Sequence, residues 1–223
     1  MEEQNKTVTV EVGDVFNATY VIGEQHCDIP DAFVLKAGAK ASVTVVVLPD
    51  ASVELPVSVD LVGEHSEFEI SGVYVCTGSE KVNLALELKH HVPMCHSRQL
   101  FKGVVGGKAN VDFYGKIIVA QDAIGTEAYQ ENHNILMSDD AKVNTKPQLE
   151  IYADDVKCNH GATIGRLNDE EQFYMRSRGI SLEEAKVLQM ISFLHPALGN
   201  VSVEKKEAIE EKLDSAVRMM VNK

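Results

Sequence analysis

The chain has 223 residues, of which 44% are hydrophobic, 25% charged and 6% aromatic, with no Trp. That is length enough to bury a sizeable core in one domain or two small ones, and the aliphatic bias suits a narrow, repetitive β architecture better than an aromatic-centred sandwich. A formal net charge of −13 disfavours nucleic acid and anionic membrane surfaces as partners, since both call for Lys and Arg.

The opening MEEQNKTVTVEVGD is polar and then alternating. It has no charged segment leading into an apolar one, so no secretory signal is expected. No run approaches the ~20 apolar residues of a membrane span. Cys27, Cys76, Cys95 and Cys158 are scattered singles, without the paired spacing of a closed zinc site, which reads as a reducing cytoplasm.

From about Thr7 to about Ile164 the chain runs as short alternating segments closed by turn residues. TVTVEV ends at Gly13-Asp14, ASVTVVVL at Pro49-Asp50, and SVELPVSVDLV at Gly63. EFEISGVYVC ends at Thr77-Gly78, KVNLALELKHHV at Pro93, and KANVDFYGKIIVA follows Gly106-Gly107. Period-two alternation with turns every ~8–12 residues predicts an all-β fold, and a sandwich is its commonest form. Two details favour a β-solenoid. A turn followed by Ala, a polar residue and Val recurs at Ala37–Val43, Gly106–Val111 and Asp139–Val143, as a corner repeated on successive coils would. The tight-hairpin dipeptides Asn-Gly and Asp-Gly are absent.

Composition shifts near Leu167. Asn168 is placed to cap a short helix opening with Asp169, Glu170 and Glu171, with Arg176 and Arg178 at its C-terminal end and Gly179 at the C′ position. Ser181 and Glu184 form a capping box for a helix whose Val187, Leu188, Ile191 and Leu194 share a face, and Pro196 stops it. Ser202 caps a last helix with an apolar stripe of Ile209, Leu213, Ala216, Val217 and Met220. The organisation read from this is a β core over residues 1–166 and a helical subdomain over 167–223. The helices are expected to pack on each other and on the end of the β domain, with part of their surface left for a partner.

No phosphate-binding Gly loop, Gly-x-Ser-x-Gly elbow or His-Glu-x-x-His occurs. The thiol and imidazole candidates are His26-Cys27, the group His90, His91, Cys95 and His96, and Cys158-Asn159-His160. His90 and His91 point to opposite faces of a strand, so at most one joins a common site. Cys158 and His160 lie two apart in a strand and so share a face. Thiolate and imidazole are soft donors suited to iron, zinc and iron–sulfur chemistry. Set against a second chain, they make half of a shared metal site.

Several long segments resemble the SufB/SufD family of iron–sulfur cluster assembly scaffolds, in a short SufD-like form. They are SRQLFKG from Ser97, FYGKIIVA from Phe113, YQENHNILMSDDA from Tyr129, KPQLEIYADDVKCNHGAT from Lys146, and FYMRSRGI from Phe173. The resemblance covers about residues 97–194, while residues 1–90 share only the β pattern. It implies a right-handed parallel β-helix with a C-terminal helical part. It implies no enzymatic activity of its own, pairing as a homodimer or with a SufB-like paralogue, and a SufC-like ABC ATPase bound through the C-terminal helices. It implies apo iron–sulfur proteins as recipients, and iron or a transient iron–sulfur cluster held at the dimer interface. The family's interface histidine falls on His160 and the adjacent cysteine on Cys158; the ATPase-docking region falls on Phe173, Tyr174, Arg176, Arg178, Gly179 and Ile180. The ligand set with which SufB builds a cluster has no match here. Longer members carry an additional N-terminal helical region, so a reduced form is expected, one that pairs with itself or works in a two-component system with the SufC-like ATPase. The alternatives are a β-helix carbohydrate-active enzyme, which wants clustered carboxylates where this chain offers only Asp139-Asp140 and Asp154-Asp155, and a metal-storage or metal-sensing protein.

Overall fold

The computed structural model describes residues 6–23 and 28–221. Its strands are β1 (Thr7–Val10), β2 (Val15–Ile22), β3 (Ala32–Leu35), β4 (Lys40–Val47), β5 (Val53–Leu61), β6 (Glu67–Cys76), β7 (Lys81–His90), β8 (His96–Val105), β9 (Asn110–Val119), β10 (Glu127–Leu136), β11 (Lys142–Ile151) and β12 (Lys157–Gly165). Helices α1 (Asp169–Ser177), α2 (Leu182–Leu194) and α3 (Val203–Val221) follow, with a 3₁₀ turn at His195–Leu198. Odd strands form one sheet and even strands the other, and every pairing is parallel. Each strand therefore bonds to the strands two before and two after it. This is a parallel β-solenoid with two strands per turn, as the corner repeat suggests, and not a sandwich. Successive rungs of the even sheet start in register at Lys40, Glu67, His96, Glu127 and Lys157.

The repeated turn phrase sits at corners, though not all at the same one. Ala109 and Ala141 stack before Asn110 and Lys142 on one edge, whereas Ala39 precedes Lys40 on the other. All three alanines are buried. Glu80 occupies the corner column of Ala109 and Ala141 and is only 4% exposed. Its carboxylate accepts the backbone N–H groups of Asp50 (3.1 Å), Thr77 (2.9 Å) and Gly78 (2.8 Å). Burial alone raises this carboxyl, but the backbone hydrogen bonds outweigh it and hold the group below the ordinary carboxylate range.

Between the sheets, Phe33 packs on Phe16 and Phe68, and Phe101 on Phe113. Two glycines admit these rings. A Cβ at Gly72 would strike Phe101, its neighbour in register, and one at Gly103 would strike Tyr74. A second hydrophobic cluster lies outside the even sheet. Val46, Val73, Val75, Leu100 and Val104 meet Val187, Met190, Leu194, Ile209, Leu213 and Val217 there. This explains why the C-terminal halves of β4, β6 and β8 are largely buried on both faces. The helices thus lie on the flank of the solenoid and not on its end. Their hydrophobic stripes have more to cover on a broad sheet face than on one terminal rung.

The caps form much as their sequence suggests. Asn168 Oδ1 accepts from Glu170 (2.9 Å) and Glu171 (3.2 Å), Ser181 Oγ accepts from Glu184 (3.1 Å), and Gly179 takes φ +90°. The reciprocal half of the capping box is replaced, because the Glu184 carboxylate pairs with Arg218 of α3 at 2.7 and 3.0 Å. Leu188 is exposed, and Ala185 and Met190 take its place in the buried face of α2. Among the described residues, no helix is long and apolar enough to cross a membrane.

Candidate functional site

The solenoid interior changes character along its length. From β8 onward the inward rows of the even sheet carry Ser97, Gln99, Gln130, Asn132 and Asn134, all buried, while the inward row of the facing β9 stays apolar. Tyr74 Oη donates to Asn134 (2.5 Å) and accepts from Asn132 (3.1 Å), and Asn134 donates to Asn132 (2.8 Å). Gln130 Nε2 donates to Gln99 Oε1 (2.9 Å). His90 Nε2 lies 2.9 Å from Ser97 Oγ.

The last rung continues these rows. Among the described residues β11 pairs only with β9, and β12 only with β10, so each strand ends its sheet with one unpaired edge. Register places Cys158 beside Ala128, His160 beside Gln130, Ala162 beside Asn132 and Ile164 beside Asn134. Those four β10 residues face inward, so Cys158 and His160 face the interior at its open end. Cys158 is half-buried and packs on the core, while His160 is exposed. Burial pushes the Cys158 thiol up, against a weaker lowering contribution from a backbone hydrogen bond with Ala128. Use of this sulfur as a metal ligand therefore displaces a proton. On the outward side of β12, Lys157 pairs with Glu127 (2.7 Å) and Thr163 with His133 (2.9 Å).

The other thiol and imidazole candidates are dispersed. His90 is buried inside and held neutral, its pKa lowered to about 4 by burial with smaller contributions from His96 and His91. His91 points outward to Asp60 (2.7 Å). Cys95 is buried at a corner, 3.3 Å from Ser66 Oγ. His96 lies 3.8 Å from Glu127 and packs on the Tyr129 ring. His26-Cys27 lies outside the described residues. Among those residues, no group of three or more His, Cys, Asp or Glu side chains is arranged to hold a metal ion. Cys158 and His160 therefore supply at most two donors per chain. The Asp pairs occupy bends, Asp139 paired with Arg166 and Asp155 at φ 52°.

The helix α1 buries only Gln172, which donates to Gln189 of α2 (3.1 Å). Its Phe173 and Tyr174 are 74% and 60% exposed. Arg178 stacks over the Tyr174 ring at 5.1 Å, and Phe173, Arg176, Gly179 and Ile180 line a shallow depression beside it. An open groove of about 790 Å³ separates α1 from α2 beside Tyr174 and Leu188. Exposed Ile151, Tyr152 and Ile164 add apolar surface to the last coil. The signal for Ile151 and Tyr152 in the sequence is their adjacency, which breaks the alternation at the end of β11. Ile164 keeps the inward parity of β12 and is exposed because, among the described residues, no further rung covers it.

A two-sheet parallel solenoid with a flanking helical layer and soft donors on an open last rung defines a parallel β-helix protein. The chain matches the family model described as "SUF system FeS cluster assembly, SufBD core domain" over residues 20–193. It belongs to that family. It is 46% identical to the iron-sulfur cluster assembly protein SufD of Escherichia coli over 136 residues, 61% of this chain and 32% of that protein. A SufBD family protein of Synechocystis is 36% identical over 138 residues, 62% of this chain and 30% of the relative. One from Mycobacterium bovis is 26% identical over 225 aligned positions, 97% of this chain and 54% of the relative. The chain thus spans between about a third and about half of the length of these curated relatives.

Proposed function

We propose that the chain is a scaffold subunit of a SUF-type iron–sulfur assembly complex in the cytoplasm, and that its last coil is where it pairs with a second copy or a SufB-like paralogue. The observation that carries this reading is the open last rung, with two unpaired strand edges and with Cys158 and His160 on its inner face. Unpaired edges of this length are surfaces that proteins cover. A partner seated there brings its own donors beside the thiol and imidazole, completing a soft-ligand site for the nascent cluster before transfer to an apo iron–sulfur protein.

In the same reading α1 and the loop after it receive a SufC-like ABC ATPase, through Phe173, Tyr174, Arg176, Arg178, Gly179 and Ile180. Exposed aromatics on a helix that buries one polar side chain support a docking role. ATP hydrolysis is then the partner's, and closure of two bound ATPases reshapes the shared interface of the two solenoids. Replacing Phe173 and Tyr174 together by Ser tests the docking arm, with loss of co-purification of the ATPase as the expected result. His160→Ala tests the site. Reduced iron loading of the complex with ATPase docking intact is expected, and parental loading would remove His160 from the site.

A further inference from the structure

Gln130 is fully buried, yet its carboxamide oxygen has no hydrogen-bond partner. Its amide nitrogen is committed to Gln99 Oε1, one rung below. The side chain also reaches across the interior, since a Cβ at Gly115 of the opposite sheet would collide with Gln130 Nε2. In a ladder of stacked carboxamides, each rung donates one way along the axis and accepts from the other. The free acceptor of Gln130 therefore belongs to the next rung. Two residues continue this row on that rung, Pro147 over Gly115 and His160 over Gln130. Pro147 carries no donor, whereas His160 carries a ring N–H.

We propose that Gln130 is a positioning residue for His160. When the open end of the solenoid is covered, Gln130 Oε1 accepts the N–H of the His160 imidazole, which fixes the tautomer and turns the other ring nitrogen outward as the ligand. Metal-binding histidines commonly have their second nitrogen held this way. The Gln99–Gln130 bond holds the carboxamide in place beforehand, and the missing side chain at Gly115 leaves room for its amide nitrogen. The proposal deepens the reading of His160 as a ligand and rests on it.

The test uses the full chain in its paired state, with ¹⁵N-labelled histidine, at a pH where the imidazole is neutral. The parent should place His160 in one dominant tautomer, read from its two ring nitrogen shifts. Gln130→Met keeps length and removes the acceptor; it should mix the tautomers and weaken binding of ferrous iron alone by roughly 10–100-fold. Gln130→Glu restores an acceptor oxygen and should recover the parental tautomer. Equal tautomers in the parent overturn the proposal without any variant, as do parental shifts and iron affinity in Gln130→Met. If Gln130→Met shifts the tautomer while His160→Ala leaves iron binding untouched, the contact stands and the ligand reading falls. If His160→Ala abolishes iron binding while Gln130→Met changes nothing, the site stands and Gln130 leaves it.

Discussion

The early coils and the late coils share one backbone plan but fill it differently. Around β3 to β6 the interior is hydrocarbon, with Phe33 between Phe16 and Phe68 and valines or isoleucines along the rows. From β8 to β10 the inner face of the odd sheet stays apolar, with Val111, Phe113 and Ile117 on β9, while the inward rows of the even sheet hold Ser97, Gln99, Gln130, Asn132 and Asn134 beside Phe101. An apolar interior is stable only while it is closed, because exposure forfeits its burial. A hydrogen-bonded polar interior loses less when its end meets water. The difference teaches why the open, donor-bearing rung stands at the polar end.

The harshest way to break this comparison is to excavate the apolar half. Phe33→Ala should destabilise the chain by about 3–5 kcal/mol in urea denaturation. A loss below about 1 kcal/mol there would mean that the early coils are not the stability core.

Acid probes the buried imidazole between the two halves. His90 titrates at about 4 against an ordinary 6.5, so the unfolded chain takes up the proton first as pH falls. Its contribution is present above about pH 6.5 and drains towards the folded value. From pH 7 to pH 5 the parent should lose about 2 kcal/mol through this group. His90→Leu should flatten that part of the curve, and identical slopes in parent and variant would contradict the assignment.

A milder cut sharpens the polar side. Tyr74→Phe strips one donor from Asn134 and one acceptor from Asn132, at a cost of about 1–3 kcal/mol. A triple variant that also replaces Asn132 and Asn134 by apolar residues should recover part of it, which a purely steric role for the tyrosine ring would not give. The smallest effect is expected at the exposed end. His160→Ala should change stability by less than about 0.5 kcal/mol, as for other surface substitutions, so that any loss of iron loading is chemical and not structural.

Much of this was legible locally. Alternation and the Ala-containing corner phrase pointed to a solenoid, and Asn168, Ser181 and Gly179 marked helix ends where they occur. Spacing two apart placed Cys158 and His160 on one face. What escaped depends on rung-to-rung register. Glu80 reads as a turn residue until Asp50, thirty positions earlier, is seen bonded to it. The seat of the helices on the flank follows from double-sided burial in β4, β6 and β8, a pattern that in sequence looks only like a richer apolar run. The direction of Glu184 was set by Arg218, a residue of another helix. The inward turn of Gln130 becomes informative only once His160 is known to lie directly over it.

The seat of the helices on the middle rungs has a mechanical consequence. A load applied at α1 passes through α2 into the rows around β6 and β8, two to three strand spacings from β12, or roughly 10–15 Å. Continuous parallel hydrogen bonding makes the stack stiff along its axis, so it turns as a rod and does not fold at a hinge. A tilt of that rod moves the terminal thiol and imidazole by lever action, with no rearrangement of the rungs in between.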